Sequence, residues 1–171
     1  MAYTYSLLAS AQGTGSSGTV SFKNIPQNYT DLVIKTSTRI TSANTGDDML
    51  LTFNGVQTSF SGKRLRGNGT AASSTSSTAN GYYGGETEGT TYTASTFSNV
   101  ELYIPNYTSS NNKSISVDSV TENNAAAAYS GLFATLWSNV TAITSITFTN
   151  ATASNWDAAS TFYLYGIRVE L

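Results

Sequence analysis

Ten acidic and eight basic side chains carry all the charge of this 171-residue sequence. The few that lie close together are the first places to look for chemistry. Asp47 with Asp48, and Asp118 with Glu122, are the only local carboxylate clusters. Loop oxygens at Asp47 and Asp48 suit a calcium ion, but the alternating ligand spacing of a calcium-binding loop is missing, and solvated loop acids are the other reading. Glu86 and Glu88 sit in a Gly/Thr loop, too isolated to suggest a glycosidase pair. A glycosidase pair is defined by the separation of its carboxyl groups, which spacing along the chain does not give. Lys63, Arg64 and Arg66 form the one basic cluster, read either as a contact to a neighbouring subunit or anionic surface, or as a solvated hairpin exit. Gly67 and Gly69 precede no helical pattern, so no phosphate-binding loop is expected there. Tyr82, Tyr83 and Tyr92 stand among small polar residues, a mixture of rigid aromatics and adaptable polar groups that suits a binding surface. Packing at the edge of a core is the alternative.

Two absences restrict the chemistry further. Without histidine the commonest general base is missing and no ordinary Ser-His-Asp triad is possible. Without cysteine there is neither a disulfide nor a thiolate zinc site, so stability rests on packing and association. No catalytic residue, cofactor or metal is expected. A net charge of −2 provides no general attraction to nucleic acid or to an anionic membrane, and neither is expected as a partner. The first ten residues lack a basic region followed by a long apolar run, so no signal peptide is expected. No stretch approaches the roughly 18 apolar residues of a membrane-spanning helix.

The elements that must position these groups read as strands. Charged residues make up 11% of the chain, against about 25% in ordinary domains. Uncharged Ser, Thr, Asn and Tyr take their place, and Thr and Tyr have high β-propensity. Apolar residues alternate with polar ones from Tyr3 to Leu8, at Val20 and Phe22, and from Asp31 to Ile40. Asn44 to Asp48 reads as a loop. Met49 to Phe53 and Val56 to Phe60 flank Asn54-Gly55, the pair that favours a type I′ turn, so a hairpin is expected there. From residue 62 to 96 the pattern dissolves into glycine clusters and a Ser/Thr/Ala tract. That stretch reads as one long loop, either disordered or ordered against a neighbouring subunit.

Alternation returns at 97–104, 115–120, 129–137, 146–148 and 160–171, with Glu122 to Ala128 as a loop. Tyr129 to Trp137 and the final strand are apolar on both faces, which predicts that each is covered twice. In the final strand, Gly166 between Tyr165 and Ile167 predicts a close-packed or bulged position. The whole argues for one all-β domain over residues 1–171, an antiparallel β-sandwich of jelly-roll type with about nine or ten strands and one long loop.

Several segments resemble small virion structural proteins of tailed bacteriophages, including those of cyanophages. They are Ile25 to Ile34, Phe53 to Gly55, Val100 to Tyr107 with Lys113 to Ile115, and Phe162 to Ile167 with its Leu-Tyr-Gly-Ile ending. The resemblance spans most of the chain outside 62–96. It implies a jelly-roll or β-sandwich fold, a place on the virion surface after synthesis in the host cytoplasm, and trimeric assembly. It carries no catalytic motif. The implied function is capsid decoration, or cementing, with the major capsid protein as partner and with the long loop and the first strand as arms to neighbouring subunits. A tail-fibre, tail-tip or head-fibre component that recognises host glycan through the tyrosine-rich loop is the alternative. A phage-encoded glycan hydrolase would instead need Glu86, Glu88 or Glu101 to converge in a cleft.

Overall fold

The computed structural model describes residues 3–44, 46–78, 82–122, 124 and 128–169. Among the described residues, twelve strands account for the regular structure: β1 (Tyr3–Gln12), β2 (Val20–Phe22), β3 (Asp31–Thr38), β4 (Asp47–Phe53), β5 (Phe60–Gly67), β6 (Ala72–Ser77), β7 (Tyr82–Thr87), β8 (Ser98–Ile104), β9 (Lys113–Val120), β10 (Ser130–Trp137), β11 (Ile146–Asn150) and β12 (Thr161–Val169). They form two antiparallel sheets, an eight-stranded one in the order β1-β12-β3-β8-β9-β10-β5-β6 and a four-stranded one in the order β2-β11-β4-β7. The sheets pack face to face as a β-sandwich around one core to which both contribute.

The connectivity is nested. With the hairpins β5–β6 and β9–β10 set aside, β1 pairs with β12, β2 with β11, β3 with β8 and β4 with β7. The chain is one long hairpin whose successive pairs alternate between the sheets. The two hairpins set aside join β8 and double the width of the larger sheet.

Alternation explains the regular part. β8 and β9 bury every second residue, and Val100, Leu102, Ile104, Ile115 and Val117 all point at the smaller sheet. Two aromatic clusters bind the sheets together. At one end the Phe53 ring lies 5.3 Å from Trp137 and 5.5 Å from Phe60. At the other, Phe162 lies 5.5 Å from Phe148 and 5.3 Å from Trp156. Gly166 is a close-packing position: a Cβ there would stand 2.6 Å from atoms of the Tyr29 ring. A bulge lies nearby on the neighbouring strand, in β1 between Leu7 and Ala9, opposite Tyr165 and Leu164.

Four expectations are corrected. The stretch 62–96 is not one long loop, because it holds most of β5 and all of β6 and β7. These strands escape notice since β6 buries nothing and β7 contains Gly84-Gly85, where a Cβ on Gly85 would stand 2.6 Å from the Val100 side chain. The Asn54-Gly55 turn forms, with φ of 53° and 74°, but no hairpin follows it. Only Val56 bridges back to Phe53, while β5 leaves for the larger sheet. The edges of β4 are already taken by β11 and β7, and the Asn54 side chain is tied instead to the chain at Ala142, Thr144 and Ser145.

Asp47 and Asp48 open β4 rather than lying in a loop. Finally, β10 is covered on one face only, and β12 is open on its outer side at Tyr163, although Ile167 on that side is buried. Phe162, Leu164, Phe133 and Trp137 are buried, whereas Tyr163 is 37% and Leu132 59% exposed. Glu122 lies outside the regular elements, as expected, while positions 123 and 125–127 lie outside the described residues.

Candidate functional site

Two regions combine chemistry with access. The first lies between the sheets, where β5 crosses above β4 and β7. Along β5 alternate side chains face opposite ways, so Arg64 and Arg66 point toward the smaller sheet while Lys63 and Leu65 point away from it. Arg64 Nη1 donates to Asp48 Oδ1 at 2.9 Å and to Glu86 Oε1 at 3.2 Å. Arg66 Nη1 donates to the same Glu86 oxygen at 2.9 Å, and its guanidinium lies 4.1 Å above the Tyr129 ring. The Glu86 backbone N–H donates to Ser119 Oγ at 2.9 Å, which fixes β7 against β9.

Asp47 is engaged locally. Its Oδ1 accepts from the Asp48 N–H, and its Oδ2 accepts from Thr152 N and Oγ1. Gly46, Asp47, Asp48, Arg64, Arg66, Glu86 and Tyr129 line a cleft of about 200 Å³. Among the described residues no three His, Cys, Asp or Glu side chains are grouped so as to hold a metal ion.

The basic cluster of the sequence is thereby divided. Arg64 and Arg66 are part-buried partners of carboxylates, while Lys63 is exposed on the opposite face, with its Nζ donating to Ser76 Oγ. Glu86 lies in a strand, and both it and Glu88 are buried, at 3% and 0% exposure. Glu101 is far from either in the fold, paired with Lys35 at 2.8 Å on the outer surface, so the three glutamates do not converge. Tyr92 is buried, and its carbonyl accepts a hydrogen bond from Arg39 Nη2 at 3.1 Å. Tyr82 and Tyr83 open β7, and their side chains lie outside the described part of the structure.

Burial dominates the electrostatics of this region. Desolvation holds the carboxyls of Asp48, Glu86 and Glu88 above the ordinary carboxylate range, against the opposing pull of Arg64 on Asp48, Arg66 on Glu86 and the Thr96 hydroxyl on Glu88. A carboxyl raised in this way binds more protons folded than unfolded. Its contribution therefore falls as pH rises from the ordinary carboxylate value through the raised one. The chain is expected to melt at a higher temperature near about pH 5 than near about pH 7, and Asp48→Asn with Glu86→Gln should flatten that difference. Thermal melts followed by circular dichroism check this; a midpoint that climbs toward neutrality would contradict it.

The second region is the outer face of the larger sheet. The strand registers place Leu7, Tyr165, Val33, Tyr103, Ser116, Ala134, Lys63 and Ser76 in one cross-strand row. The adjacent row is Ser10, Tyr163, Lys35, Glu101, Asp118, Leu132, Leu65 and Ser74. Tyr5 and Val120 lie on the same face beyond these rows. Eight large apolar side chains are prominently exposed among the described residues. Seven of them (Tyr5, Leu7, Leu65, Tyr103, Val120, Leu132 and Tyr163) are on this face, with Val140 elsewhere. Sequence reasoning missed this surface. The signal is present in the chain, since β10 and β12 are apolar on both sides, but residue types alone do not distinguish an exposed apolar face from a covered one.

Comparison with protein-family models, with curated proteins and with solved structures gives no match.

Proposed function

We propose that the chain is a non-enzymatic structural protein of a phage particle, a decoration or cement protein seated on the outside of the head lattice. Its partner in this reading is the major capsid protein, and its copies assemble as trimers. The carrying observation is the concentration of exposed apolar side chains on one face of the larger sheet. From β1 to β5 the face crosses seven strands, about 29 Å at the usual ~4.8 Å spacing. Apolar surface spread that far and interleaved with polar groups is characteristic of protein contact surfaces.

The strand order supports the same reading. The nested pairs β1–β12 and β3–β8 in one sheet, and β2–β11 and β4–β7 in the other, support a jelly-roll reading of the sandwich, an architecture common among viral capsid proteins. The likeness of the Ile25 to Ile34 and Phe162 to Ile167 segments to phage virion proteins points the same way. Many copies on a lattice let each contact be weak, because avidity multiplies them.

The test replaces Leu65 and Leu132 together by lysine and measures binding to heads stripped of this protein. Both side chains are more than half exposed, at 54% and 59%, so folding stability should change by no more than about 1 kcal/mol. Each leucine loses about 1.5–3 kcal/mol of burial on docking, which predicts at least a hundredfold weaker binding. Undiminished binding by the folded double variant would exclude this face. Heads without the protein should also lose thermal stability. Copy number then separates head from tail: hundreds of copies per particle fit decoration, and a few dozen fit a tail or fibre component.

A further inference from the structure

The outer face leaves the charged cleft unused, because Arg64 and Arg66 project from the opposite side of β5. An ion cluster that only tied β5 to β4 and β7 would satisfy its own buried groups. This one does not. Glu86 is 3% exposed and lines the cleft, yet its Oε2 has no hydrogen-bond partner, while Oε1 receives both arginines. Asp48 is engaged through Oδ1, and each arginine through one Nη, so further acceptor and donor positions remain. Tyr129 adds a phenol at the rim.

The charges set the class of ligand. Asp48 and Glu86 balance Arg64 and Arg66, and the oxygens of Asp47 are already engaged by Asp48 and Thr152. An anion entering the cleft meets two carboxylates, and a cation meets two guanidiniums. Positive and negative groups alternate here instead of occupying opposite ends, which disfavours a zwitterion. A hydroxyl both donates and accepts, and neighbouring hydroxyls on a ring match a carboxylate beside a guanidinium.

We propose that this cleft binds a neutral polyhydroxylated ligand, one sugar unit of a glycan, through Asp48, Glu86, Arg64, Arg66 and Tyr129. The arginines hold Glu86 rigid before the ligand arrives, so little ordering is required on binding. The proposal does not depend on docking to a capsid and is tested on the isolated chain.

The experiment is saturation-transfer NMR on the full chain with methyl α-D-glucopyranoside, methyl β-D-galactopyranoside, methyl α-D-mannopyranoside, N-acetyl-D-glucosamine and L-rhamnose. Inorganic phosphate and glycine serve as ionic and zwitterionic probes. At least one sugar is expected to bind with a Kd on the order of 1 mM, and Asp48→Asn and Glu86→Gln should each weaken it about tenfold. Thermal melts establish that each variant is folded. Should Glu86→Gln fail to fold, Asp48→Asn and Tyr129→Phe carry the test, with the latter expected to weaken binding about threefold by removing one hydroxyl. No transfer to any of the five sugars overturns the proposal. So does undiminished binding in the folded variants, or displacement of a bound sugar by phosphate or glycine.

Discussion

Replacing Trp137 by alanine should destabilise the domain by about 3–5 kcal/mol, a large share of the roughly 5–15 kcal/mol that holds such a domain together. Trp137 is fully buried at the end of β10, pairs with Lys113 on one neighbouring strand and Phe60 on the other, and meets Phe53 of the opposite sheet edge-on. It is therefore the joint between the extended part of the larger sheet and the smaller sheet. Removing the indole leaves a cavity lined by Phe53 and Phe60, whose rings are anchored in different sheets and cannot both collapse into it. Trp137→Phe should cost distinctly less, because most of the volume is retained. Urea denaturation monitored by circular dichroism gives both values, and a loss below about 1 kcal/mol for the alanine variant would contradict this account of the core.

The second large effect is expected at Arg39. This side chain is 7% exposed, its Nη1 donates to the carbonyls of Thr96 at 2.7 Å and Thr93 at 3.0 Å, and its Nη2 donates to that of Tyr92. It also lies 3.5 Å from Glu88, whose side chain is entirely buried. One guanidinium thus ties β3 to the chain segment between β7 and β8 and compensates a buried carboxylate.

Arg39→Ala removes the counter-charge of Glu88 and the guanidinium hydrogen bonds to the carbonyls of Tyr92, Thr93 and Thr96, and should cost about 3–5 kcal/mol. Removing both charges in Arg39→Met with Glu88→Met should cost less than Arg39→Ala alone, because no uncompensated charge remains. The double-mutant cycle, completed with Glu88→Met and measured by chemical denaturation, separates the ion pair from the loop anchoring. A double variant as damaged as the alanine variant would show that the carbonyl contacts dominate.

Nine of the twelve strands are legible in the chain, and the missing three are consecutive, β5, β6 and β7. The nine share one physical cause. Each puts apolar residues on a face turned toward the core, so burial writes a two-residue period into the residue types, as in the alternating β8 and β9. The other three lack that cause. β5 turns Arg64 and Arg66 inward and Leu65 outward, the reverse of the usual pattern, because its inward neighbours are carboxylates. β6 is an edge strand whose residues are almost all exposed, and β7 approaches β8 and β9 through glycines.

The candidate site is distributed in the same way. Lys63, Arg64 and Arg66 stand out as a cluster in the chain, but alternation on a strand sends Lys63 to one surface and the arginines to the other. Asp48 and Glu86 come from opposite ends of a long stretch, and only the pairing of β4 with β7 sets them side by side.

By itself, then, the sequence determined an all-β chain and most of its strands, because alternation is a local consequence of burying one face. Which apolar faces are covered, and which charges meet, was decided by the tertiary structure. The reason is that four strands of the smaller sheet lie against eight of the larger, and only the inward side of β10 and β12 receives a partner. Their other side is apolar as well and stays exposed at Leu132 and Tyr163.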